Sequence, residues 1–343
     1  MQADPIAHAD DLIEAGRAAE AASFLNGLLE AGRGGLLMRL TLARALSAAG
    51  DVQAALMVAR EAASLHPDVA VVAVALGEAM LAADLLPTAI GEFQRALRRD
   101  PDSDAARRGL ALAWLEAGEP DKALEAFDDD EIVARAQAMK AAPRSNANYV
   151  RHLFDQFSTD YDARMIGQLG YRAPQVLREL FDLTIARDGL IVLDLGCGTG
   201  LSGLAFRDVA ARLDGIDLSP AMIEKARARG IYDGLIVGDI EKLDGRYDLI
   251  VAVDTLVYLG DLAAVFASVA KCLAGNFLFT VESKDGESFE LGPKRRWRHS
   301  EAYLREAADK AGLEVASLVT CSPRSEAGQP VPGFAVSLAG KVG

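Results

Sequence analysis

The 343 residues predict two architectures in succession, an all-α solenoid of helix pairs and then an α/β domain built on a largely parallel sheet. Three observations carry this. Residues 2–130 are rich in Ala and Leu, nearly free of β-branched runs, and repeat with a period of 34, as stacked two-helix units do. Residues 190–195 form an apolar run that breaks into Gly196, Gly198 and Gly200 and resumes with helix-compatible Leu204-Ala205-Phe206, the order strand, tight turn, helix. Four apolar runs, at 190–195, 214–218, 234–240 and 247–254, carry Asp194, Asp217, Asp239 and Asp254 at or near their carboxyl ends, the side where open α/β sheets bind ligands.

Length and composition suit two domains with real cores, since 51% of the residues are hydrophobic. A formal charge of −14 argues against nucleic acid and anionic membrane as partners, because neither polyanion is drawn to such a field. Cys197, Cys272 and Cys321 make no C-x-x-C pair and no even-numbered framework, so metal and disulfide readings fail and a reduced, cytoplasmic setting is expected. The opening Met1-Gln2-Ala3-Asp4-Pro5 has neither basic lead nor apolar core, and no charge-free apolar stretch approaches eighteen residues, so neither secretion nor a membrane span is signalled.

In the first half the register is read from matched residues. Ala21, Ala55, Ala89 and Ala123 form a ladder, Ala62 matches Ala96, Phe93 matches Phe127, Pro67 matches Pro101, and Gly16, Gly50, Asp84 and Gly118 stand at the turn inside each unit. This pattern resembles the tetratricopeptide (TPR) repeat. The unit at 70–103 fits it best, with Gly77 where helices approach and Ala89 at the tightest contact; the unit at 2–35 is degraded and suits a cap. A helix at 131–142, with Ala134, Ala136 and Met139, is expected to seal the array. Its role is open among binding a protein or peptide, self-association and bracing the second domain. The repeat domain is placed at 1–142, with a polar, proline-opened linker at 143–148.

The glycine loop opening the second half removes Cβ atoms where a nucleoside can lie against backbone, and the helix start behind it offers free N–H groups. A dinucleotide fingerprint would want its third Gly at 201, which is Leu. Asp194 at the loop would repel a pyrophosphate and hold an ammonium or sulfonium, so a cationic cofactor fits better. Asp217 ends its run where an acidic residue meets ribose hydroxyls, some twenty residues past the loop. Ser219 and Pro220 then open a helix as N-cap and first-turn proline.

On these residues, 148–343 resembles a class I S-adenosylmethionine-dependent methyltransferase with a seven-stranded, Rossmann-like α/β fold; Val192-Leu193-Asp194-Leu195-Gly196-Cys197-Gly198-Thr199-Gly200 is its first motif. The resemblance implies S-adenosyl-L-methionine as cofactor. It lays Gly196, Gly198 and Gly200 under methionine and ribose, gives the ribose hydroxyls to Asp217 and the adenine to Asp239 and Ile240, and adds Asp194, Cys197, Leu218, Met222, Asp254 and Tyr161 to the cofactor shell.

Residues 149–188 are expected to form a helical lid segment, and 189–343 the rest of the methyltransferase domain. Phe154, Phe157 and Tyr161 share one helical face; Phe154 reads as core and Tyr161 as a lid contact. A further helix spans 173–186, with Val176, Leu177, Leu180 and Phe181 inward. Past Asp254 the family places its reacting centre, where Tyr258 either lines the acceptor pocket or simply packs. Glu282 ends a fifth strand. The run from Lys294 to Ser300 concentrates four cations with Trp297 and His299: either a solvated loop or an anchor for an anionic acceptor with His299 as proton acceptor, His152 standing next. Runs at 313–319 and 333–338 close the sheet as an antiparallel pair. The expected function is methyl transfer to O or N of a small-molecule acceptor, with a protein or carrier-bound substrate recruited by the array as one alternative and a cofactor-binding scaffold without turnover as another.

Overall fold

The computed structural model describes residues 4–158, 160–167, 169–292, 295–326 and 328–341, so that Lys294 of the cationic run lies outside the described residues. Two compact units divide at Ala141 and Ala142.

The first unit consists of antiparallel helix pairs: α1 (Pro5–Glu14), α2 (Ala18–Glu30), α3 (Leu36–Ala48), α4 (Val52–Leu65), α5 (Ala70–Ala82), α6 (Leu86–Arg99), α7 (Asp104–Glu116), α8 (Pro120–Ala126) and a last helix α9 (Asp130–Ala141). The alanine ladder is buried at every rung, Ala21, Ala55, Ala89 and Ala123 all being fully inaccessible, because each lies where paired helices touch and a larger side chain would overpack. The turn ladder is equally regular: Gly16, Gly50, Asp84 and Gly118 all adopt left-handed backbone, φ between 62° and 85°, which Gly takes freely and Asp tolerates through its short polar side chain. Phe93 fills the array's interior, and a Cβ on Gly77 would stand 2.9 Å from its ring. On α9 the buried residues are Ile132 and Ala136, while Ala134 of the expected seal faces outward.

The second unit begins with α10 (Ala147–Phe157), α11 (Tyr161–Gly167) and α12 (Ala173–Thr184). Alternation then sets in: β1 (Leu190–Leu195), α13 (Leu201–Phe206), β2 (Ala210–Asp217), α14 (Pro220–Arg229), β3 (Gly234–Val237), β4 (Tyr247–Ala252), α15 (Ala263–Cys272), β5 (Leu273–Ser283), β6 (Phe289–Leu291), β7 (Trp297–His299), α16 (Glu301–Lys310), β8 (Leu313–Cys321), the short β9 (Ser325–Glu326) and β10 (Gln329–Pro330), and β11 (Gly333–Gly340). The main sheet runs β3-β2-β1-β4-β5-β11-β8, parallel except for β11, which is antiparallel to both its neighbours. One face packs Phe266, Phe277 and Phe279 under α15 and α16, the other Leu177, Phe181 and Phe206 under α12 and α13. Strand order reverses between β1 and β4, the switch point at which the crossovers leave a crevice beyond the carboxyl ends. Among the described residues no helix is long and apolar enough to cross a membrane.

Two expectations fail here. Of the linker expected at 143–148, residues 143–145 are not free: Gly260 and Asp261 both donate their N–H to the Pro143 carbonyl at 2.8 and 2.9 Å, Ser145 donates to the Tyr258 carbonyl at 2.9 Å, and Arg144 bridges Leu259, while α10 begins at Ala147. Nor is the Trp297–His299 part of the cationic run a solvated loop, since β7 pairs with the end of β5 and with β6, setting Arg298 beside Glu282.

Candidate active site

The site grows from the β1–α13 turn. Gly196 and Cys197 both donate their N–H to the Ile216 carbonyl, at 2.8 and 3.0 Å, tying the loop to β2. Gly198 donates to Asp217 Oδ2 at 2.9 Å, and Ser219 donates to Oδ1 at 2.8 Å, so this carboxylate organises the loop that surrounds it. Burial raises the Asp217 pKa above its ordinary value, and the two N–H donors offset part of that rise. The three loop glycines serve different ends. At Gly198, with φ 53°, a Cβ would meet nothing within 4 Å, whereas at Gly196 it would overlap Thr255, and at Gly200 it would press on Arg229 and Tyr232 at 3.0 Å.

Above the turn lies a cleft that opens to solvent. Gly196, Gly198, Asp217 and Leu218 form one wall, Asp239 and Ile240 a second, and Asp254, Thr255 and Tyr258 a third. Arg144, Ser145, Val150, Phe154 and Tyr161 cover it. Phe154 stands edge-on to both Tyr161 and Tyr258, with ring centroids 6.0 and 5.4 Å apart, and burial raises both phenol pKa values, so each hydroxyl remains a donor at neutral pH. Arg144 reaches Glu241 at 2.5 Å and Asp239 at 3.4 Å. The covering helices are fastened at two points: Ser219 Oγ donates to Asp155, and Asp162 accepts from Thr199 and Arg229.

Behind the third wall sits Arg324, whose side chain is wholly buried. It donates to Asp254 Oδ1, to Glu282 and, at 3.3 Å, to Glu326. Arg296 stands 3.8 Å from Glu282 and 3.4 Å from Glu326.

A family model described as a methyltransferase domain matches residues 165–318, and one described as a tetratricopeptide repeat matches 40–103 and 74–138. The chain is 30% identical over 160 residues to magnesium-protoporphyrin O-methyltransferase of Rhodobacter capsulatus, covering 40% of this chain and 70% of that protein. The chain belongs to the S-adenosylmethionine-dependent methyltransferases. Methyltransferase-like protein 27 of Homo sapiens is 33% identical over 136 residues, 37% of this chain. Malonyl-acyl-carrier-protein O-methyltransferase of Serratia marcescens is 28% identical over 168 residues, 46% of this chain and 64% of that one. The chain spans about half the length of the human relative, 54%.

Within this methyltransferase, several residues expected at the cofactor or the chemistry stand elsewhere. Asp194 does not line the cleft. It is fully buried beneath the loop, where Oδ2 accepts from Ser202 at 2.6 Å and Tyr232 at 2.7 Å while Oδ1 has no partner, and burial pushes its pKa up to about 6. Cys197 points inward onto Ile223 and Ala226, Met222 is fully buried, and a Cβ on Gly200 would press on Arg229 and Tyr232. His299 is the clearest correction. It is completely buried on β7, its Nε2 lies 3.0 Å from the Gly260 carbonyl, and burial lowers its pKa to about 4; an imidazole so enclosed reaches no acceptor. Arg296 and Arg298 beside it already face Glu282 and Glu326, so these two form no anchor for an anion. Phe154, expected in the core, lines the cleft instead, and Phe157 is exposed.

Sequence reasoning missed Arg144, Ser145, Thr255 and Arg324. Thr255 could have been found, since it follows Asp254 directly. Nothing local distinguishes Arg324 from a solvated loop arginine.

Proposed function

We propose that this methyltransferase holds S-adenosylmethionine in the cleft and passes its methyl group to an oxygen or nitrogen of a small-molecule acceptor seated against Tyr161, Phe154 and Tyr258. The observation that carries this reading is the cradle itself: open space above Gly198 beside the Asp217 carboxylate, at the strand-order reversal. Asp217 takes the ribose hydroxyls, Asp239 and Ile240 flank the adenine, and Gly196 and Gly198 underlie the rest. When bound, the cofactor supplies a methyl group already activated by its sulfonium. The chain's own residues therefore align and desolvate: the aromatic trio excludes water from the reacting end, and the Asp155 and Asp162 contacts hold the cover in register. Tyr258 acts as a hydrogen-bond donor that orients the acceptor, in keeping with its raised pKa.

A second reading is favoured by the repeat array and by the carrier-protein relative. In it the TPR unit recruits a protein or carrier that bears the acceptor, rather than self-associating or bracing. Incubating the full chain with methyl-labelled S-adenosylmethionine and a lysate separates the two. Label in the dialysable fraction supports the first, label retained on polypeptide supports the second, and label in neither sinks both.

A further inference from the structure

With His299 sealed in the sheet, another group must face the acceptor, and the third wall of the cleft offers one. We propose that Asp254 is the catalytic carboxylate that accepts the acceptor's proton, that Arg324 positions it, and that the acceptor atom is therefore a hydroxyl, phenol or amine and not a carboxylate. The proposal rests on the cleft being the S-adenosylmethionine site.

The backbone at Asp254 is bent to φ 55°, a conformation that residues bearing a Cβ disfavour. It is fixed there from two sides: the Asp254 N–H donates to Thr280 Oγ1 at 2.8 Å, and Oδ1 accepts from Arg324. Arg324 has no freedom to serve a ligand directly, because its remaining nitrogens are taken by Glu282 and Glu326 and its side chain has no exposed surface. All of this holds one carboxylate in the cleft beside Tyr161 and Tyr258, its Oδ1 engaged by Arg324. Strain stored at a site-lining residue and held by buried partners is the mark of a positioned functional group.

The need for a proton then selects the acceptor. Among the described residues the cleft is lined by three carboxylates, Asp217, Asp239 and Asp254, and one cation, Arg144, which is already paired with Asp239 and Glu241. An acceptor carboxylate would approach Asp254 with no proton to give. A protic heteroatom has both a hydrogen bond to donate and a proton to lose. As its lone pair forms the new bond to the methyl carbon, the carbon–sulfur bond breaks, its electron pair stays on sulfur, which becomes neutral, and the acceptor's proton passes to Asp254 and on to solvent.

Two measurements on the full chain test this. Products labelled from methyl-labelled S-adenosylmethionine and dialysable lysate are treated with alkali. Methyl ethers and methylamines keep their label, whereas methyl esters release it as volatile methanol; release of most of the label overturns the acceptor class. Asp254→Asn, close in shape, should lower incorporation by about 100-fold. The second measurement needs no acceptor. Calorimetric affinities for S-adenosylmethionine and S-adenosylhomocysteine differ by the sulfonium charge, so Asp254→Asn should weaken the first by at least about threefold and spare the second. Equal effects on both, or none, overturn the placement of Asp254 at the reacting end. Arg324→Met should lose the same preference and Arg324→Lys recover part of it; a Met variant with full preference removes Arg324 from the proposal. Failure of the wild type to bind either ligand would instead overturn the cleft assignment beneath this inference.

Discussion

Replacing Asp194 by Asn should erase a pH dependence of stability that the wild-type chain carries between about pH 4 and pH 6. Asp194 is buried under the glycine loop with one oxygen bonded to Ser202 and Tyr232 and the other unpartnered. Its pKa rises from the ordinary 3.8 to about 6, burial being the larger cause and the two hydroxyl donors opposing it. Because the folded pKa lies above the unfolded one, the folded chain binds more protons in this window, and stability falls as pH rises through it. The gap between 3.8 and about 6, at about 1.4 kcal/mol per pH unit, amounts to roughly 3 kcal/mol lost by pH 7. Asn cannot ionise and keeps an acceptor for the two hydroxyls, so the variant should be relatively more stable above pH 6 by about that amount, with no such difference below pH 4. Urea denaturation across pH 4–8 measures it. A Trp114→Phe background leaves Trp297 as the single indole, so fluorescence reports the second unit alone. Parallel stability curves for the two proteins across the window would refute the argument.

Three further outcomes are expected. Gly198→Ala adds a methyl to open cleft at φ 53° and should cost about 1–2 kcal/mol of stability while weakening S-adenosylhomocysteine at least about tenfold by calorimetry; Gly196→Ala, which overlaps Thr255, should cost stability more steeply in thermal melts. Asp217→Ala should weaken cofactor affinity at least about tenfold, roughly 1.4 kcal/mol, and unchanged affinity would reject its ribose contact. His299→Gln should leave the pH–rate profile unmoved above pH 5, because the buried imidazole is neutral there; a shifted limb would return His299 to the chemistry.

Much of the cleft's lining was legible because its devices are local. Ser219 caps α14 through the Met222 N–H three residues on, and the glycines, with the aspartate closing each strand, are read by spacing alone. Burial was not legible. His299 beside three arginines looks like a reactive surface histidine until β7 pairs with β5 and closes over it, and Asp194 looks like a ligand until Ser202 and Tyr232 take its oxygen. Residues 143–145 open the polar, proline-led stretch that has the composition of a linker, yet their backbone groups are bound by residues more than a hundred positions away.

The sequence by itself determined the 34-residue repeat, the buried alanine at each helix crossing, the left-handed turn in each unit and the strand–glycine–helix passage, since each depends on side-chain size and backbone freedom at fixed short spacing. Only the tertiary structure decided which carboxylate faces the cleft and which cations are spent. Arg324 meets Asp254 across 70 residues of chain, and the pairing exists because β11 returns between β5 and β8 and carries the loop before it to the rim of the sheet. A charge becomes a partner, a support or a catalyst according to what the fold buries beside it.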